Sequence, residues 1–151
     1  MSDSWIILIP EDPFLVPPPE RHPVATSTFR ELAPEAWEIN AVVTDQVRFI
    51  DAGENFENIN CPKCNSALST EWWQEQMSDD FADGGFVLKR RTVPCCSAQV
   101  TLHELRYQWS QGFARFSLEA MNPNISELPE VGLRTIESLL ECPLRVVYCH
   151  I

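Results

Sequence analysis

The chain has 151 residues, with 22 acidic side chains against 11 basic ones and a formal net charge of -11. Its 44% hydrophobic and 22% charged content is that of a soluble globular domain long enough to bury a core. No apolar run approaches the roughly 20 residues of a membrane span. The acid excess also argues against nucleic-acid binding, which needs a basic patch to displace counterions. The compact basic run is Lys89-Arg90-Arg91. Met1-Ser2-Asp3-Ser4 lacks the basic region of a secretory signal, so a cytoplasmic location is expected.

Trp5-Ile6-Ile7-Leu8-Ile9 is apolar on both alternating faces and predicts a strand inside a sheet, ended by Pro10. Six prolines between Pro10 and Pro23 predict a stiff loop over the sheet edge, carrying Phe14 and a solvated His22. Ala25, Phe29 and Leu32 share one face of a helix over Val24–Leu32, limited by Pro34. Ala36–Ile50 is ambiguous at its start. Its end, Gln46–Ile50, is strand-like and stops at Asp51-Ala52-Gly53.

The next stretch holds four of the six cysteines, as Cys61-Pro62-Lys63-Cys64 and Pro94-Cys95-Cys96. Two thiolates separated by two residues turn onto one ion, and a second pair completes a tetrahedral shell. Zn(II) is the expected ion, since it is redox-inert and accepts four sulfurs without strain. Asn65 stands where a positive φ is tolerated. Adjacent residues on a strand point to opposite faces, so Cys95 and Cys96 share an ion only where the chain kinks. His103 is the alternative fourth ligand. Reduced core cysteines are the other account of these residues.

Between the pairs, Ser69 or Thr70 caps a helix with Trp73 and Met77 one turn apart. Asp79, Asp80, Asp83, Gly84 and Gly85 predict a solvated turn, and Phe86-Val87-Leu88 a returning strand. Thr101-Leu102-His103-Glu104 has capping-box form. Leu102, Leu105 and Trp109 predict that a helix follows. A strand from Gly112 alternates Ala114, Phe116, Leu118 and Ala120 inward with Arg115, Ser117 and Glu119 outward. Asn122-Pro123-Asn124 turns the chain. Leu133, Ile136 and Leu140 mark a helix over Pro129–Glu141, and Leu144–Ile151 is the last strand.

The two cysteine pairs resemble the paired knuckles of zinc-ribbon proteins, over about a quarter of the chain. The second pair departs from that pattern in lacking the two-residue spacer. The resemblance implies a metal and a local fold. It does not imply an activity, because zinc ribbons serve transcription factors, ribosomal proteins, enzymes and adaptors alike.

Outside the cysteine segment the order is strand, helix, strand, twice over. This predicts an α+β fold, a ferredoxin-like βαββαβ antiparallel sheet with a zinc-knuckle insertion between strands 2 and 3. Residues 1–56 and 111–151 form the two halves of the core, and 57–110 the inserted module. The function expected is a small acidic zinc-binding protein that binds another protein with a basic surface, of the immunity or antitoxin kind. Trp72, Trp73 and Phe14 are the candidate contact residues. The alternatives are an enzyme with a site between sheet and insertion, and a transcription-associated zinc-ribbon adaptor. Cys142 and Cys149 read as buried reduced thiols, His150 as a strand-end residue, and no catalytic set is identified.

Overall fold

The computed structural model describes residues 2–151. Strand β1 (Ser4–Pro10) leads through a proline loop to helix α1 (His22–Leu32) and the long strand β2 (Glu38–Ile50). Two short strands follow, β3 (Asn58–Asn60) and β4 (Ala67–Leu68), then helix α2 (Thr70–Asp80). Strands β5 (Phe81–Ala82), β6 (Gly85–Phe86), β7 (Arg91–Thr92), β8 (Gln99–Val100) and β9 (Arg106–Gln108) are two or three residues each. Strand β10 (Gly112–Met121), helix α3 (Glu130–Leu140) and strand β11 (Leu144–His150) complete the chain.

The result is a mixed α/β molecule around an antiparallel six-stranded sheet in the order β11-β1-β10-β2-β6-β5. Leu8 stands opposite Leu118 on one side and Val146 on the other, so β1 is central. That is why its apolar residues occupy both faces. Ile6, Leu8, Phe116, Leu118 and Ala120 meet Ala25 and Phe29 of α1 and Ile136 and Leu140 of α3 in one core. Ile7, Ile9, Ile50, Ala114 and Val147 form a smaller cluster. Phe29 is fully buried, worth up to about 3 kcal/mol in transfer free energy.

A third cluster belongs to the cysteine segment. Ile59, Cys61, Leu68, Trp73, Val93, Val100, Leu102 and Leu105 pack together with Val47 and Phe113 of the large sheet. Val47 also pairs with Phe86, which ties the β5–β6 hairpin to β2.

Several expectations need correction. No long helix follows the Thr101 capping box. The box is present, but only Leu102–Glu104 form a 3-10 turn, because Arg106–Gln108 extend to pair with β3. The strand expected at 86–88 ends at Phe86. Leu88 adopts φ 55, and the amides of Leu88 and Lys89 turn to donate to the Asp80 carboxylate. Asp80 is therefore fully buried and not part of a solvated turn. Helix α1 begins at His22, whose Nε2 lies 2.9 Å from the Pro17 carbonyl and whose ring packs on Phe116. His22 is half-buried and not free in solvent. The inward-outward alternation of β10 breaks at Arg115, where the register against β2 shifts. Arg115 Nε donates to the Thr44 carbonyl there, and its amide donates to the carbonyl of Pro13. Beyond the bulge Ser117 is buried, bonded to Arg48 and Glu119.

Candidate metal centre

The two cysteine turns are built alike, each element of the second lying thirty-two residues after its counterpart. Ile59 pairs with Leu68 and Asn60 with Ala67; in the second turn Arg91 pairs with Val100 and Thr92 with Gln99. In the first, the Cys61 amide donates to the Ser66 carbonyl and the Asn65 amide to the Cys61 carbonyl, both at 2.9 Å. In the second, the Val93 amide donates to Ala98 and the Ser97 amide to Val93, at 2.9 and 3.2 Å. Asn65 and Ser97 hold the same left-handed conformation, φ 63 and 61. Each turn then leads to a hydroxyl cap, Ser69 before α2 and Thr101 before the 3-10 turn.

Aligned this way, Cys61-Pro62-Lys63-Cys64 matches Val93-Pro94-Cys95-Cys96. Val93 stands where Cys61 would predict a ligand, and both positions are fully buried. The second turn presents its sulfurs from positions three and four instead. Neither residue lies on a strand, so the bar on adjacent ligands does not apply.

The sulfurs of Cys61, Cys64, Cys95 and Cys96 all lie within 4.8 Å of one another. Cys61 and Cys96 are 3.8 Å apart and Cys64 and Cys95 are 3.4 Å apart. A tetrahedral ion at about 2.3 Å from each thiolate needs sulfurs about 3.8 Å apart, so the donor set fits Zn(II). All six cysteines are free thiols in this structure. Cys61 is buried, and the other three cysteines of the cluster are exposed.

Backbone and side-chain donors set the charge on these sulfurs. Ser66 beside Cys64, through its hydroxyl and its amide, lowers that thiol to about 6. The amides of Cys64 and Lys63 lower Cys61. Cys95 has no such backbone donor and is pushed up to about 12, by desolvation and by sharing protons with Cys64 and Cys61. Thiolates are the metal-binding form, so the first turn is prepared for a cation.

His103 stands apart from this cluster. Its Nδ1 accepts from the Phe113 amide at 3.0 Å, and its Nε2 lies 2.8 Å from the Glu11 carbonyl. Both nitrogens are occupied, and burial lowers its pKa to about 4. Trp73 is buried in the cluster of the cysteine segment. It is 9% exposed, stacks on Phe56, and donates from Nε1 to Tyr107 Oη. Trp72 is half-buried against the same cluster, whereas Phe14 is 52% exposed. Trp37, at 62%, is a more open tryptophan that periodicity did not single out. Cys142 and Cys149 are buried, as expected, and burial followed by the charge of Asp51 pushes Cys149 up to about 11.

Compared with protein-family models, with curated proteins and with solved structures, the chain matches none. The cluster is compatible with a zinc-knuckle-like centre on the strength of its own geometry. No helix among the described residues is long and apolar enough to cross a membrane.

Proposed function

We propose that the protein is a zinc-binding module in which one structural Zn(II), held by Cys61, Cys64, Cys95 and Cys96, locks the two knuckles together. The observation that carries this is the convergence of four sulfurs within 4.8 Å on two turns of one construction. Four thiolates leave no open position for a reacting water, which favours a structural ion over a catalytic one. The reading extends to the fold, a ferredoxin-like core of residues 1–56 and 111–151 with residues 57–110 inserted. The order β11-β1-β10-β2, with one helix after β1 and one before β11, supports it. So does the separate core of the cysteine segment. A reducing compartment, the cytoplasm, suits thiolate ligands.

Metal analysis of the purified, reduced protein tests the site: about one zinc per chain is expected, lost in Cys61→Ser. Metal-free protein that refuses added zinc would overturn it.

Binding to a protein with a basic surface is the role we infer for the module. The charge of -11 supports it, and so do Trp37 and Trp109, both exposed beside adjoining surface depressions that share Ser4, Pro123, Ile125 and Ser126. A neutraliser of the immunity or antitoxin kind is one form of it, resting on charge alone. Such a complex weakens as salt rises and loses affinity in Trp37→Ala; binding indifferent to both would remove the inference.

A further inference from the structure

The large sheet ends differently on its two sides. On the β11 side the outward backbone groups find partners. The His150 amide and carbonyl bond to Ala52 and Glu54, Asn55 Nδ2 donates to the Tyr148 carbonyl, and the Leu144 amide donates to Glu137. On the other side only Val47 of β2 is paired, with Phe86. Strand β6 goes no further, because Leu88 turns away at φ 55 to reach Asp80. The first half of β2 is therefore a bare edge. Which of its groups are bare follows from the alternation of an antiparallel ladder. Asp3 and Ile151 exchange both amide bonds at 2.9 Å, so the odd residues of β1 face β11 and the even ones face β10. Ile6 and Leu8 then bond Ala120 and Leu118, which leaves Glu119 and Ser117 to bond Asn40 and Val42 of β2. The amides and carbonyls of Ile39, Ala41 and Val43 point off the sheet. Such edges are normally guarded by proline, by lysine or by a bulge. Residues 39–43 carry neither proline nor charge, and their register against β10 is unbroken.

We propose that this edge is the interface of a homodimer, in which β2 pairs antiparallel with β2 of a second copy about a two-fold axis at Ala41. That register sets Ile39 opposite the partner's Val43 and Ala41 opposite itself, so that all the bare groups of Ile39, Ala41 and Val43 are satisfied by six hydrogen bonds between the copies. Val43, 49% exposed, then meets a half-buried Ile39 on the face that carries α1 and α3. The dimer needs neither the zinc ion nor a foreign partner.

Charge complementarity favours a second copy over a foreign strand. Glu38 and Asp45, near the two ends of the edge, are exposed. Among the described residues neither makes an ion pair, and neither do Arg30 and Arg115. Arg30 Nη1 donates to the Ala36 carbonyl at 2.6 Å, and Arg115 Nε to the Thr44 carbonyl at 3.0 Å. In the two-fold register Glu38 comes level with the partner's Thr44, where Arg115 is held. Asp45 comes level with the partner's Trp37, next to Ala36, where Arg30 is held. Each unpaired acid thus approaches an unpaired arginine of the other copy, whereas a foreign strand has to bring matching charges of its own. The net charge of -11 on each copy opposes the contact at long range, and physiological salt screens it beyond about 8 Å.

Analytical ultracentrifugation of the purified, reduced chain over a concentration series, at about 0.15 M salt, should show a dimer in equilibrium with monomer. Ala41→Pro removes two of the six bonds by symmetry but none within the sheet, since that amide points outward. It should keep its circular dichroism and weaken dimerisation on the order of tenfold or more. Glu38→Lys, which sets like charges together, should weaken it several-fold; it changes an exposed side chain and stays readable where the proline variant fails to fold. Hydrogen exchange at the amides of Ile39, Ala41 and Val43 should slow as concentration rises. A chain monomeric at about 1 mM, a dimer protected elsewhere, or a dimer indifferent to both variants overturns the proposal. Protection of these three amides only on addition of a foreign protein overturns it as well, and assigns the edge to that protein.

Discussion

Arg91 Nη2 donates to Asp80 Oδ1 at 3.0 Å, and the side chains are 6% and 0% exposed. Asp80 ends α2 and Arg91 opens β7, so the pair joins the helix after the first knuckle to the strand that enters the second. The Asp80 carboxylate also accepts from the amides of Leu88 and Lys89, while Arg91 reaches Gln76 and Asp79.

Breaking this pair should therefore cost far more than a surface ion pair. Arg91→Met leaves a buried carboxylate without its cation, and about 3–5 kcal/mol of destabilisation is expected in urea unfolding. Asp80→Asn, which keeps one amide-accepting oxygen, should cost less. Combining Asp80→Asn with Arg91→Met should fall well short of the sum. Additive losses would mean that the two groups act separately.

A second consequence concerns acid. Burial, then the nearby Arg145 cation, lowers His103 from its ordinary 6.5 to about 4. The fold thus holds the neutral ring, while the unfolded chain takes up a proton first. The contribution to stability is complete above pH 6.5 and is lost as pH falls towards 4, reaching about 3 kcal/mol. Titration of the ring by NMR should give a midpoint near 4. A midpoint near 6.5 would contradict the buried, doubly bonded placement of the imidazole.

Much of this was legible in the residues, and the failures have physical causes. The period of Ala25, Phe29 and Leu32, and that of Leu133, Ile136 and Leu140, located both helices that cover the sheet. Asn65 was readable as a positive-φ position, and Ser97 was not, because serine carries a weaker preference for that conformation. Superposing the two sequences on Pro62 and Pro94 would have exposed the shared turn. The start of β2 was obscure because its first half pairs only with β10 on one side. Its edge residues Glu38 and Asn40 are therefore exposed. Leu102, Leu105 and Trp109 imitated a helix. Leu102 and Leu105 are buried instead from a turn and an extended segment, with Trp109 left 44% exposed.

Metal removal should loosen one part of the molecule and spare another. The clusters around Trp73 and around Phe29 are distinct, and the four sulfurs join only elements of the first. With zinc chelated, hydrogen exchange should quicken at Ile59, Leu68, Val93 and Val100, while Leu8 and Leu118 remain slow. Uniform acceleration through both clusters would show that the large sheet depends on the ion as well.

Gly53 has φ 61, and a Cβ added there would stand 2.3 Å from the carbonyl oxygen of His150 and 3.2 Å from Cys149 Sγ. That carbonyl already accepts from the Glu54 amide at 2.7 Å, and the His150 amide donates to Ala52, so the backbone cannot withdraw without breaking the join between the end of β2 and β11. Gly53→Ala adds both a left-handed conformation for an L-residue and a backbone clash. It should cost more than about 1 kcal/mol, where Gly84→Ala, with φ 85 and open space around its Cβ, carries the conformational part alone. The difference between the two variants in thermal unfolding measures the steric part. Equal losses would mean that the chain around Ala52 and His150 yields to the added methyl group.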